Sequence, residues 1–134
     1  MPTDMVDIIE LPHSWLIAEP VECLRGACHM IAKKHAIELY DLNENELLGL
    51  MKEVQIYAWA LKTVTGAIKI NYEIHGNTAP HLHMHLYPRY INDPFPGRAI
   101  DYHRKVEQYA PGEFESFVQG MNEMIQAQLK DKQF

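Results

Sequence analysis

The sequence lacks any apolar run long enough to cross a membrane. A spanning helix needs about 18 consecutive apolar residues, and no such run occurs in the 134 residues. Residues 1–5 (MPTDM) also lack the basic start and the apolar stretch of a secretory signal. These two absences predict a cytoplasmic protein.

Cysteine is scarce as well. The 2 cysteines, Cys23 and Cys28, are too few for a disulfide framework. Their spacing is wider than that of a Cys-x-x-Cys redox pair, and no second pair of cysteines completes a zinc site. We therefore expect two ordinary, partly buried thiols.

Basic residues are fewer than acidic ones. Lysine and arginine total 12 against 18 acidic residues, which gives a formal net charge of −6. Binding in a nucleic-acid groove requires many phosphate contacts from basic side chains, so we expect no partner of that kind. A small phosphorylated ligand is compatible with this charge, because a few local donors act at short range while salt screens distant charges over ~10 Å.

A long helix is the clearest predicted element. Asn43, followed three residues later by Glu46, forms a capping-box pattern. Apolar residues then recur every three or four positions from Leu47 to Val64, which is typical of a helix that packs on a core. Gly66 is a typical C-terminal stop.

Extended segments lie on both sides of this helix. We predict strands over 6–18 with a break at Pro12-His13, over 27–32, over 68–74, and over 81–87 with Pro88 as its end. The alternation in 68–74 predicts a buried face made of Ile68, Ile70, Tyr72 and Ile74.

The rest of the chain is predicted to be a loop over 91–112 and a helix over 113–130. This helix is expected to bury its apolar stripe of Phe114, Phe117, Val118, Met121, Ile125 and Leu129. Together the elements predict one α+β domain over 1–134, with a mostly antiparallel five-stranded sheet, a long helix and a C-terminal helix.

Three histidines alternate with apolar residues in the segment His81-Leu82-His83-Met84-His85. Successive side chains of a strand point to opposite faces, so the three imidazoles are expected to share one face. A structural histidine in a core is usually alone, so three at a spacing of two indicate chemistry.

Two kinds of chemistry compete for these histidines. A His-x-His pair is a frequent metal ligand, but at ~3.4 Å per residue His81 and His85 start about 14 Å apart, too far to share one ion. A neutral imidazole can instead attack phosphorus, and its neighbours can donate hydrogen bonds to phosphate oxygens. The central His83 is then the natural nucleophile.

This segment resembles the signature of the histidine-triad (HIT) family, His-φ-His-φ-His-φ-φ with φ apolar, at every position of 81–87. The resemblance covers about 6–98, and residues 80–90 (PHLHMHLYPRY) are similar to the bacterial diadenosine tetraphosphate hydrolase-like branch. It implies a HIT-like α+β fold and a homodimer. It also implies nucleotide hydrolysis or transfer through a nucleotidyl-histidine intermediate.

The resemblance also implies residue roles. His83 matches the nucleophile that attacks the α-phosphorus of a dinucleoside polyphosphate or nucleoside phosphoramidate. His85 matches a phosphate contact, His81 a histidine that orients the nucleophile, and His35 the histidine that closes a basic turn. The covalent step needs no cofactor and no metal on the protein, although a divalent metal can accompany the substrate phosphates.

Nucleotide contacts are expected from Asn77 and Thr78 before the triad and from Glu19, which matches a ribose-binding position. Asn71, on the polar side of its strand, is a further candidate for the pocket. Many relatives carry a histidine at the position of Ala27, so the network around His81 departs from the family pattern here.

Two alternatives stay open: a nucleotide-binding regulator with little turnover, and a metalloenzyme with His83 and His85 as ligands. The basic turn Lys33-Lys34 is either a phosphate-steering element or a solvated turn. We expect no site role for the scattered histidines, which are His13, His29, His75 and His103.

Overall fold

A computed structural model describes residues 5–131 of the chain. Its strands are β1 Val6–Glu10, β2 Ser14–Ala18, β3 Val21–Glu22, β4 Cys28–Ala32, β5 Lys69–Glu73, β6 His83–Arg89 and β7 Val106–Glu107. Its helices are α1 Glu44–Thr65 and α2 Glu113–Asp131, and a single 3-10 turn, Leu39–Asp41, precedes α1.

The main sheet has the order β1-β2-β4-β6-β5, and every neighbouring pair is antiparallel. Strands β3 and β7 form a separate two-stranded sheet. The predicted α+β class with five antiparallel strands and two helices is therefore confirmed. None of the helices in residues 5–131 is long and apolar enough to span a membrane.

Both predicted ends of α1 are confirmed by their backbone contacts. The Asn43 side chain accepts a hydrogen bond from the Glu46 N–H, and the Glu46 carboxylate accepts one from the Asn43 N–H, each at 2.9 Å. Gly66 ends the helix at a φ of 73°, a left-handed conformation that glycine adopts without a Cβ clash. Local sequence is thus enough to place this helix.

The two helices cover one face of the main sheet. That face presents Leu16 of β2, Met30 of β4, and Met84 and Leu86 of β6, all of them buried. The helices supply the facing apolar side chains, which include Tyr57, Leu61, Phe117, Met121 and Ile125. Burial of this apolar area provides the main stabilisation of the fold.

Strand β5 corrects the predicted buried face. Ile70 is buried, but Ile68 is 59% exposed, Tyr72 is 50% exposed and Ile74 is also exposed. The reason is that β5 is the edge strand of the sheet. Of these four residues, only Ile70 belongs to the core cluster.

Three smaller expectations are also corrected. Strand β6 continues through Pro88 to Arg89. Pro88 has no N–H to donate to a neighbouring strand. It is tolerated because the pairing of β6 with β4 ends at Leu86, before Pro88. In α2 the buried residue of the last turns is Gln128 and Leu129 is exposed, and the loop over 91–112 contains β7.

Candidate functional site

The face of the sheet away from the helices carries the histidines. His83 and His85 project from β6, and their rings lie 5.1 Å apart between centroids. Across the ladder, His85 is paired with His29 of β4 and Glu73 of β5. Directly paired residues point to the same face, so the sheet register assembles a polar group around His85.

A single hydrogen bond determines which nitrogen of His83 is available. Its Nδ1 lies 2.8 Å from the backbone oxygen of His81. A carbonyl oxygen only accepts, so Nδ1–H is the donor and the neutral ring keeps its lone pair on Nε2. The ring is only half-buried, and the nitrogen that is suited to attack phosphorus remains available.

His81 takes a different position from the one predicted. It precedes β6 rather than lying on it, and its Nε2–H donates to the Ala32 backbone oxygen at 2.7 Å. Its ring lies 5.9 Å from that of the exposed His35. His81 therefore contacts His83 through its backbone carbonyl, and the row of imidazoles on the strand face consists of His83 and His85.

His85 is crowded by aromatic rings. The ring of His29 lies 4.6 Å away, that of His75 lies 5.5 Å away, and Tyr87 stacks on it at 5.7 Å. Burial, with smaller contributions from the neighbouring imidazoles, lowers the pKa of His85 to about 3. His85 is consequently neutral near pH 7, with one N–H to donate.

Sequence reasoning missed two of these residues. His29 and His75 were expected to lie outside the site, yet both rings contact His85. His29 is further held by the buried Glu22, whose Oε1 lies 2.7 Å from its Nε2. The alternation of side chains along β4 places His29 on one face of the sheet. Which residue of β6 it meets there depends on the cross-strand register, which the sequence does not provide. Of the other two, His13 packs on Gly49 of α1, and His103 contacts Tyr102, whose ring lies 5.6 Å from that of His75.

Glu19 lies beside this cluster, just after β2. Its Oε1 is 3.6 Å from the Lys105 ammonium, and burial together with the nearby Glu22 raises its pKa. Ligand atoms of Glu19, Glu22 and His29 all lie within 4.8 Å of one another. Among residues 5–131 these three side chains form the group that could hold a metal ion.

The other predicted nucleotide contacts are more scattered. Asn77 and Thr78 are exposed on the connection between β5 and β6. Asn71 is opposite Tyr87 in the ladder, and its Oδ1 accepts a hydrogen bond from Arg89 at 2.9 Å. Asn71 therefore belongs to the part of the sheet where Arg89 holds the following loop, away from His83.

These features define an α+β protein with an antiparallel sheet. On the open face of the sheet lies His83, whose tautomer is fixed by a hydrogen bond to the His81 carbonyl. A family model described as HIT domain matches residues 8–92, more than half of the chain. The chain belongs to the HIT family, whose members are in general nucleotide hydrolases or transferases, although some are not catalytic.

Solved structures agree with this assignment. A histidine triad protein from Bradyrhizobium japonicum is 26% identical, with a TM-score of 0.81 and coverage of 91% of both chains. One from Sinorhizobium meliloti is 24% identical, with a TM-score of 0.78 over 90% of this chain and 89% of that one. Plasmodium falciparum diadenosine triphosphate hydrolase is 17% identical, with a TM-score of 0.63 over 92% and 76%. No curated protein sequence matches the chain.

Proposed function

We propose that this chain cleaves nucleotide conjugates at the α-phosphorus through a covalent nucleotidyl intermediate on His83. The observation that carries the proposal is the hydrogen bond from His83 Nδ1–H to the His81 carbonyl, which leaves Nε2 as a nucleophile. Family membership supports the same class of reaction.

In the first step, the Nε2 lone pair forms a bond to the α-phosphorus. The bond between phosphorus and the leaving group breaks, and that group departs with the electron pair and takes a proton from solvent. In the second step, water adds its oxygen to phosphorus, the phosphorus–nitrogen pair returns to Nε2, and the water proton is released. The His81 carbonyl stabilises the positive charge that the ring carries between the two steps.

His85 has a supporting role in this proposal. Since its pKa is lowered to about 3, it acts at neutral pH as a neutral N–H donor to a phosphate oxygen. Asn77 and Thr78 are proposed to contact the phosphate, and Glu19 the ribose hydroxyls. His35, beside His81, completes the proposed set, and Asn71 is left as a support for Arg89.

We propose a dinucleoside polyphosphate as the substrate class, as in the bacterial diadenosine tetraphosphate hydrolase-like branch. The fold shared with a diadenosine triphosphate hydrolase supports this choice. The covalent step uses no cofactor, and a divalent metal is proposed only on the substrate phosphates. A cytoplasmic location belongs to the same proposal.

The direct experiment is to incubate the protein with diadenosine tetraphosphate or adenosine 5′-phosphoramidate, quench in base and search for a nucleotidyl mass on His83. We expect turnover and an adduct in the wild type and neither in His83→Ala. His13→Gln, at a histidine that packs on Gly49, is the matched control. Nucleotide binding without turnover or adduct would indicate a regulator instead, and activity that depends on bound zinc or iron would indicate a metalloenzyme.

We also propose a homodimer, formed through the edge of the sheet at β5. Ile68, Tyr72 and Ile74 expose apolar surface along this edge, and exposed apolar edge strands favour pairing. Sedimentation of the wild type should give a dimer, and Tyr72→Lys combined with Ile74→Lys should shift it to monomer. A wild-type monomer at high concentration would contradict the proposal.

A further inference from the structure

Most basic side chains around the sheet are already engaged. In the basic turn, Lys33 pairs with Glu10 at 2.5 Å and Lys34 pairs with Glu46 at 3.2 Å. Arg89 makes an ion pair with Asp93 and donates to the loop backbone. The turn that the sequence offered for phosphate steering is therefore occupied by carboxylates.

Lys105 is placed differently. It immediately precedes β7, where Val106 pairs with Glu22 of β3, so its backbone is anchored beside the buried acid. Its ammonium lies 3.6 Å from Glu19, its side chain is 45% exposed, and its charge is among those that act on His85. A solvent-accessible cation thus faces the histidine group from a segment that lies outside the HIT match over 8–92.

The partner of Lys105 is easily exchanged. The 3.6 Å separation between the Lys105 ammonium and Glu19 Oε1 exceeds a good hydrogen bond. The ammonium is also open to solvent, which weakens its attraction to the carboxylate. A phosphate group carries more charge than a carboxylate and accepts several charge-assisted hydrogen bonds. A phosphate near His85 can therefore draw the ammonium away and leave Glu19 available for another contact.

The surroundings also need such a cation. Glu19, Glu22 and Glu73 place three carboxyl groups around His29 and His85, and the chain as a whole carries a net charge of −6. A polyphosphate entering this group without a counter-charge would meet repulsion at short range. One phosphate can be held by neutral imidazole donors, whereas each additional phosphate adds charge that requires a cation.

We propose that Lys105 binds the phosphates beyond the α-phosphate and thereby gives the site a preference for substrates with a polyphosphate leaving group. The inference rests on the proposed function, because it assumes that the α-phosphorus lies at His83. It assigns a specificity-determining role to a residue in the loop between β6 and α2.

Binding tests this inference without turnover. In a His83→Asn background, the Kd values of ATP and AMP are measured by calorimetry with and without Lys105→Met. We expect Lys105→Met to weaken ATP binding about tenfold more than AMP binding, since a lost charge-assisted hydrogen bond costs roughly that factor or more. Any effect through the altered environment of Glu19 is common to both nucleotides and cancels in the ratio.

Two further variants sharpen the result. Lys105→Arg keeps the charge and should keep most of the ATP preference. Lys52→Met removes the same charge from the exposed side of α1 and should leave the ratio unchanged. Equal weakening of ATP and AMP by Lys105→Met, or no weakening of either, overturns the inference.

Kinetics separates this inference from the proposed function. In the active protein, Lys105→Met should lower kcat/KM for diadenosine tetraphosphate about tenfold more than for adenosine 5′-phosphoramidate, mainly through KM. Absence of turnover and adduct in the wild type would contradict the proposed function alone, because the ATP-to-AMP binding ratio remains measurable. Turnover with an unchanged preference in Lys105→Met would contradict the Lys105 assignment alone.

Discussion

The two faces of β6 show how one strand serves two purposes. Met84 and Leu86 point to the helices and are buried among apolar side chains. His83 and His85 point the other way and are only half-buried. Residues on the first face stabilise the fold through the apolar area they bury. Residues on the second face act through their imidazole nitrogens, and their role depends on which nitrogen carries the proton. Substitutions on the two faces should therefore affect different measurements.

The two faces of the sheet differ because different parts of the chain pack on them. Two helices seal the apolar face, whereas a small apolar cluster made of loop residues and Tyr87 of β6 packs near one part of the other face. That cluster consists of Cys23, Leu24, Ala27, Tyr87, Phe95 and Ile100. The rings of His81 and His83 donate to backbone carbonyls. The rings of His29, His75 and His85 have side-chain partners in Glu22, Glu73 and Tyr87, so partial burial is tolerated.

The largest expected effect is on chemistry at the histidine face. His83→Ala should lower kcat/KM for the proposed substrates by at least about a thousandfold, because it removes the nucleophile. Its free energy of unfolding in urea should change little, since the ring is not part of the apolar core. Residual activity above about a tenth of the wild-type rate, less than one ~1.4 kcal/mol step in the barrier, would show that the nucleophile is misassigned.

The opposite result is expected on the helix face. Leu86→Ala removes a fully buried side chain and should cost about 2–5 kcal/mol in the free energy of unfolding. Activity per folded molecule should remain close to wild type at low temperature. A stability loss below about 1 kcal/mol would mean that the two faces are not divided as described.

The buried hydrogen bond between His29 and Glu22, beside the histidine face, should affect stability to an intermediate degree. Glu22 is 1% exposed and accepts from His29, so Glu22→Ala leaves a buried imidazole N–H without its acceptor. We expect a loss of about 1–3 kcal/mol in the free energy of unfolding. A double-mutant cycle with His29→Leu should show coupling, and strictly additive losses would contradict a direct interaction.

At neutral pH the smallest effect comes from His85, because its contribution to the free energy of unfolding changes only as the pH falls below 6.5. Its pKa of about 3 in the folded protein lies below the ordinary value of 6.5. Between these values the unfolded chain binds a proton that the folded protein does not, so the contribution is complete above pH 6.5 and is lost as pH falls towards 3. Urea unfolding at several pH values should show a shallower loss for His85→Gln. An identical slope in both proteins would argue against a neutral His85.

Some of this could be predicted from the sequence, for specific reasons. The ends of α1 depend on Asn43, Glu46 and Gly66, which act on backbone groups within a few residues. The alternation around His83 likewise predicts a strand with two chemically different faces. The exposure of Tyr72 could not be predicted in this way, because it follows from the edge position of β5.

The sequence by itself determined the two helices, the strands of the main sheet, the caps of α1 and the separation of Met84 from His83 onto opposite faces, since these depend on local geometry. Only the tertiary structure decided that His29 and His75 contact His85, that the His81 carbonyl orients His83, and that Lys105 lies beside Glu19. Those contacts depend on strand register and loop path, which arise from packing between segments distant in the chain.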